Sequence, residues 1–427
     1  MEATKRLMRS ELLLRSRKFI MPTLALLIIF TLLVIGAVTC LGQASIDEFR
    51  SALSAEAGFS PDEWSAVERG EIVTKLLPGT DKREVAVCGI ARVRGTPEVI
   101  AKVFTQSMAQ QSSKSILAIG RFSNPPLLSD VETLSLEKRD IEDLKRCAEG
   151  KCEVKLSTAM IQRFHQEVNW TSPDYELQAN RLFRQMLVDY VREYQTRGAA
   201  ALLEYHDQSL PVSIAKEHQS LLERMAYIND FAPEFVNNVK NFPHSELSDF
   251  ESSISWTKLR FGLKPVIIVT HTTTYKRSKP ANQILSLSSQ IFANHYFDSS
   301  LGLTAVVSFP KDAAASDSYL LYTNHSRADS LASSFSRVKR GLVEAESIEK
   351  LNALLLQAKA NVEVACANQS GENRVSRRQR ISDWLFRGTG QYAWFVVIAL
   401  LIALSGHYLR RIREPHRSLA AKKQLRV

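Results

Sequence analysis

Pro265-Val266-Ile267-Ile268-Val269-Thr270-His271-Thr272-Thr273-Thr274-Tyr275 is the stretch on which the fold turns. It leaves the break Gly262-Leu263-Lys264-Pro265, and Ile267, Val269, His271, Thr273 and Tyr275 fall on one face of a strand with a period of two. The surrounding tract, residues 252–322, is rich in Thr, Ile, Val, Phe and Tyr and is interrupted at Lys279-Pro280, at Gly302 and across 310–317. Such a tract reads as antiparallel strands joined by turns. Behind it, residues 330–362 contain Gly341 as their single Gly or Pro, with Leu331, Phe335, Val338, Leu342, Leu351, Leu354 and Leu355 along one face. That pattern predicts a long amphipathic helix following the sheet. The fold class is therefore α+β: an antiparallel β-sheet gripping a long C-terminal helix, with a helical insert and two transmembrane helices.

Working outward, Ile46–Ala57 predicts a helix. Ser60-Pro61-Asp62-Glu63 predicts the start of another, with Ser at the N-cap, Pro at N1 and acids in the first turn. Residues 71–77 and 83–93 alternate as strands around the turn Pro78-Gly79-Thr80-Asp81, Thr96-Pro97-Glu98 caps a helix to about Gln110, and 115–122 returns as a strand. The stretch 136–245 is largely helical, with a strand-like 153–156 and a longest helix over 175–205. Asn324-His325-Ser326-Arg327-Ala328-Asp329 reads as a turn into the last helix with Asp329 as its N-cap.

The chain has 427 residues, 45% apolar and 23% charged, enough to bury a core, and a formal charge of +10. That excess resides at the two ends. Residues 1–18 carry six Lys/Arg and two Glu, residues 409–427 carry seven Lys/Arg and one Glu, and the rest is balanced at 42 basic and 42 acidic side chains. Nucleic acid is thereby removed as the default partner. Each charged end abuts an apolar run, 19–42 and 391–409, the second framed by Tyr392, Trp394 and Tyr408 as interfacial aromatics are. The first run is longer than the apolar part of a cleavable signal, which favours an uncleaved anchor, although Gly42-Gln43-Ala44 resembles a cleavage site. The expected arrangement is a cytoplasmic basic tail (1–18), a span (19–42), an extracytoplasmic α+β domain (43–390), a second span (391–409) and a second cytoplasmic basic tail (410–427). Such a protein sits in an inner (plasma) membrane with two spans, and its main domain is periplasmic if the cell is bacterial. Arg374, Arg377, Arg378, Arg380 and Arg387, on the outer side of the second span, run against the charge rule; they face anionic headgroups or are a solvated charge run. Cys147 and Cys152 bracket a short polar loop, and an oxidising compartment predicts that they pair. Unpaired thiols are the alternative, and a zinc site lacks a second ligand pair, so no metal is expected. Cys88 and Cys366 read as buried inert thiols.

The opening Glu68-Arg69-Gly70-Glu71-Ile72-Val73, then Val85-Ala86-Val87-Cys88-Gly89-Ile90-Ala91-Arg92-Val93, then Gly95-Thr96-Pro97-Glu98-Val99-Ile100-Ala101-Lys102-Val103-Phe104 resembles the start of START-like helix-grip domains. In that superfamily two strands and a Pro-Glu-x-Val helix lead into an antiparallel sheet, and a long final helix grips the sheet around an apolar cavity. The layout of 250–362 is similar as well, while a helical insert of about 125 residues separates the two parts.

Chemistry is sparse in the sequence. His271, His295 and Asp298 lie where antiparallel neighbours bring them within reach, the set a general acid–base site uses; polar residues satisfied at strand ends are the simpler reading. Nucleophile-elbow, metalloprotease, phosphate-loop and dinucleotide signatures are all missing, so no catalytic residue and no cofactor is expected. Two functions remain. One is a membrane-anchored binding module for a lipid or other hydrophobic ligand, lined by His271, Tyr275, Leu285, Leu287, Ile291, His295 and Phe297, with membrane lipids, a hydrophobic small molecule or an envelope protein as partner. The other is a non-enzymatic envelope scaffold that docks a partner through the helical insert.

Overall fold

The computed structural model describes residues 46–371, apart from 80, 245, 246, 248, 278–281, 309–316 and 332–335. The tails and the two apolar runs expected to span the membrane lie outside them, and among the described residues no helix is long and apolar enough to cross a membrane.

The opening helices form where their caps place them. α1 is Ile46–Ala57 and α2 is Pro61–Glu68, the latter with Ser60 and Glu63 closing a reciprocal capping box. β1 (Ile72–Leu76) and β2 (Glu84–Arg94) follow, then α3 (Pro97–Ser112), capped by the Thr96 side chain, and β3 (Ile116–Arg121). The helical stretch contains α4 (Lys138–Leu144), α5 (Thr158–Glu167), α6 (Tyr175–Arg197), a two-stranded pair β4 (Glu204–Tyr205) and β5 (Val212–Ser213), α7 (Ile214–Glu223), α8 (Ile228–Phe231) and α9 (Pro233–Lys240). Five long strands come next: β6 (Phe250–Leu259), β7 (Val266–Arg277), β8 (Asn282–Ala293), β9 (Phe297–Ser308) and β10 (Asp317–Ala328). The final helix α10 (Ser336–Gly371) closes the described chain.

Three local expectations are corrected. The helix expected over 175–205 stops at Arg197, because Gly198 turns the chain with φ +55° and any Cβ there would lie 1.9 Å from the Phe242 carbonyl oxygen. Residues 153–156 belong to no strand, although the Lys155 N–H donates to the Asn294 carbonyl. Asn324–Arg327 is not a turn but the end of β10, and Asp329 opens a 3-10 turn rather than capping the long helix. β10 reaches that far because both its edges are paired, to β2 through Arg327 opposite Glu84 and to β9 through Ala328 opposite Phe297. Glu84 holds the buried His325 through its Nδ1 at 3.2 Å and Arg327 at 3.0 Å.

The eight long strands form one antiparallel sheet in the order β1-β2-β10-β9-β8-β7-β6-β3. Because β2 and β3 lie near opposite edges, the connecting α3 crosses one face of the sheet, and α10 packs beside it against β1 and β2. Val343, Leu351, Leu354, Leu355, Ala358 and Val362 of α10 are buried there with Val87, Ala91, Phe104, Phe297 and Tyr322. At roughly 1.5–3 kcal/mol for each fully buried Leu or Val, this stripe is what holds the helix down. Gly89 sets the closeness of approach, since a Cβ on it would sit 2.6 Å from Leu355 Cδ1.

The helical insert is not an appendage. Together with α1 and α2 it covers the whole opposite face of the sheet through two apolar cores. In one, Leu182, Phe183 and Met186 of α6 meet Ile254, Ile267, Val269, Ile291 and Phe292. In the other, Phe49 and Leu53 of α1 and Tyr227, Phe231 and Phe235 meet Ile90, Leu285, Leu287, Leu303 and Leu321. The sheet is thus the middle of three layers, which explains why β2 and β7–β10 are buried almost end to end.

Candidate functional site

The loops at the α4 end of the sheet enclose a polar cleft of about 1,100 Å³. It is walled by α4, the Cys147–Cys152 loop, the loop after β4, the β6–β7 and β8–β9 turns and Asp329. Each wall is pinned. Tyr296, in the β8–β9 turn, has φ +64° and is the one non-glycine residue with positive φ among the described residues. Its hydroxyl accepts the N–H groups of Leu263 and Lys264, at 3.2 and 2.8 Å, and so ties the two turns together. Cys147 and Cys152 are disulfide-bonded, as the spacing predicts. The loop they close donates from the Gly150 and Cys152 N–H groups to the carbonyls of His206 and Asp207.

The floor of the cleft is Lys155, a buried lysine. Its Nζ lies 3.0 Å from Asp298 Oδ1, 3.0 Å from Asp329 Oδ2 and 3.5 Å from Asp207 Oδ2. Burial works against the lysine's charge, but the three carboxylates outweigh it and hold its pKa above the ordinary lysine value. Asp298 and Asp207 shift the other way from most paired carboxylates: burial raises both, and Lys155 reverses only part of that rise. One ammonium shared among three carboxylates leaves the floor short of positive charge. Arg83 adds a second cation on Asp298 at 2.8 Å, but Arg83 also serves Asp81 and Glu217. Through Glu217, Arg327, Glu84 and His325 this network continues into the sheet, with Arg327 at 2.8 Å from Glu217 and 3.0 Å from Glu84.

On the α4 wall, Lys264 Nζ meets Asp143 at 2.9 Å. His295 Nε2 lies 3.1 Å from Asp140 Oδ1, which Lys264 Nζ also approaches at 3.6 Å, yet neither buried atom forms an aligned hydrogen bond among the described residues. At the rim Arg139, Arg146 and Lys151 are exposed beside the opening, together with one exposed acid, Glu153.

The residues expected to line a ligand cavity are dispersed. His271, Tyr275, Leu285, Leu287 and Ile291 all lie on the sheet face that the insert covers. Phe297 lies on the other face, packed with α10, and His295 alone lines the cleft. Physically, β8 bulges opposite Val269 and Thr270, so that Ile291 and Phe292 both turn to the insert side. His271 is held by Tyr194 at 2.9 Å and Ser252 at 2.7 Å and lies against the Phe242 ring. Burial, with a smaller effect of His218, pushes its pKa down to about 3, so it is neutral. His271, His295 and Asp298 therefore form no catalytic set: each has a separate group of partners. The face toward α3 and α10 carries Thr270, Thr272, Ser286, Ser288, Gln290 and Thr304, all buried, between its apolar ends. Lys155, Asp207 and Asp329 are invisible to sequence reasoning, because they lie in loops far apart in the chain and match no motif. The one available signal was an isolated lysine between Val154 and Leu156.

No protein-family pattern matches the chain, and neither a curated protein nor a solved structure matches it.

Proposed function

We propose that the chain is a membrane-anchored extracytoplasmic binding module of START-like, helix-grip layout, and that its ligand occupies the polar cleft at the hairpin end of the sheet. The two-strand opening, the crossing α3 and the long α10 beside it support the layout. The terminal charge and the two apolar runs support the tether. The observation that carries the binding site is the cleft itself: a cavity of about 1,100 Å³ whose walls are tied to one another and whose floor holds buried, under-compensated charge. Such convergence of perturbed charged groups in a concavity marks functional sites. The apolar residues expected to hold a hydrophobic ligand are consumed by the insert's cores and, for Phe297, by the core under α10, so the ligand in this reading is recognised by polar groups, with any apolar part outside the cleft.

The test uses the full chain, extracted with its surrounding lipid and examined by native mass spectrometry. Wild type is expected to carry a small-molecule adduct. Ser209→Trp, a substitution at an exposed position lining the cleft, is expected to lose it. The same adduct in both proteins, or none in either, refutes the cleft as the site. Reporter fusions check the topology, and alkaline phosphatase active at the C-terminus would overturn the two-span hairpin.

A further inference from the structure

Resting on the cleft as the binding site, we propose that its ligand is a zwitterion with a primary ammonium at one end and a phosphate ester at the other, the ammonium seated on the Asp207–Asp329 floor and the phosphate at the Arg139–Arg146–Lys151 rim.

Buried carboxylates gather at the floor of the cleft, while Arg139, Arg146 and Lys151 outnumber the exposed Glu153 at its opening. On the floor, Asp207, Asp298 and Asp329 converge on the single ammonium of Lys155. Arg83 reaches Asp298 alone of these three and divides its charge with Asp81 and Glu217. Among the described residues Asp207 thus has no second cation; it is buried and still faces the cleft. A ligand ammonium supplies the missing charge and up to three donors to acceptors fixed in place. Beside it, His295 lines the cleft with its Nε2 buried and 3.1 Å from Asp140 Oδ1 but without an aligned hydrogen bond, which is costly unless something else completes it. The rim carries more cations than acids. Arg146 gives one nitrogen to Asp143 at 3.3 Å and Arg139 also acts on that carboxylate through space, whereas the side chains of Arg139 and Lys151 form no hydrogen bond or ion pair among the described residues. Three exposed cations at one opening, two of them with guanidinium forks, suit the several oxygens of a phosphate better than the two of a carboxylate.

An ammonium–phosphate zwitterion has two sources, the headgroup of an ethanolamine phospholipid and a soluble phosphoethanolamine compound. The experiment separates them. The full chain in phosphatidylcholine nanodiscs is titrated calorimetrically with O-phosphoethanolamine, ethanolamine and inorganic phosphate. The whole zwitterion is expected to bind at least about tenfold more tightly than either half. Arg139→Ala/Lys151→Ala, which removes two exposed side chains that hold nothing else together, is expected to weaken it by about tenfold or more. Repeating the titration in nanodiscs containing phosphatidylethanolamine distinguishes the sources: binding suppressed there marks the lipid, and unchanged binding marks the soluble compound. Inorganic phosphate binding as tightly as the zwitterion, an unaffected double variant, or no binding at all overturns the proposal. If the zwitterion fails while the adduct lost in Ser209→Trp is present, the cleft reading stands without it; if both fail, both fall.

Discussion

Replacing Lys155 by Met removes the one ammonium on which Asp207, Asp298 and Asp329 converge while keeping the length of the side chain. Met matches the buried stem, so little cavity is formed, and the lost packing over the Tyr205 ring is small beside the electrostatic change. The dominant effect is uncompensated negative charge at Asp298 and Asp207, both buried. Removing one partner from a buried ion pair costs about 3–5 kcal/mol, and Arg83 on Asp298 places this case toward the lower half of that range. The signature lies in the pH dependence. Asp207 and Asp298 already have folded-state pKa values above the ordinary aspartate value, and without Lys155 they rise further. Carboxyls with raised folded pKa contribute stability at pH below their unfolded value, and that contribution is lost as pH rises through the folded value. The deficit of Lys155→Met relative to wild type should therefore be greatest near neutral pH and shrink as pH falls through the raised aspartate values. Urea unfolding of the full chain in detergent, followed by tryptophan fluorescence at several pH values, measures it. A deficit below about 1 kcal/mol at neutral pH, or one that grows in acid, would refute the account of the floor.

Glu84 runs with the opposite sign: burial opposes its ionisation, but His325 and Arg327 outweigh burial and hold its carboxyl below the ordinary range. Its contribution is present above the unfolded glutamate pKa and lost as pH falls through the folded one, so Glu84→Gln should flatten the acid limb of the stability curve; an unchanged limb counts against the pairing. Tyr296→Phe leaves the Leu263 and Lys264 N–H groups without their acceptor and should cost about 1–3 kcal/mol, read as a lower urea midpoint. Cys147→Ser/Cys152→Ser opens a small loop and should cost about 2 kcal/mol, with the melting temperature of wild type under reductant falling to match it. Gly89→Leu drives a side chain into Leu351 and Leu355 and should destabilise by about 1–3 kcal/mol or more, whereas a neutral result would mean that α10 does not press on β2.

Local signals in the chain carried far. The capping box at Ser60–Glu63, the Thr96 cap, the alternation through β6–β9 and the apolar face of α10 each depend on neighbours within a few residues, and each element forms near its expected place. The Cys147–Cys152 pairing was legible for the same reason, since five residues of separation leave little geometric freedom. Errors arose where a distant partner overrides local preference. Asn324–Arg327 looks like a turn by composition but is strand because β2 and β9 both pair with it and Glu84 holds His325 and Arg327.

The face assignment shows the boundary most clearly. Period-two alternation places Leu285 and Leu287 on one side of β8, but it is silent about which layer covers that side. Only packing revealed that the insert, and not α10, lies over them, and that the bulge after Gln290 brings Phe292 to the same face as Ile291. The cleft is likewise a tertiary object: Lys155, Asp207, Asp298 and Asp329 are brought together from four separate segments, over distances in sequence at which no periodicity operates. The amino-acid sequence alone thus determined the elements, the antiparallel character of the sheet and the disulfide, all governed by short-range sterics, hydrogen bonding and alternation. Which face is buried by which layer, and where charge converges, was decided by long-range packing of the insert against the sheet, because burial and Coulomb energy depend on three-dimensional distance and not on separation along the chain.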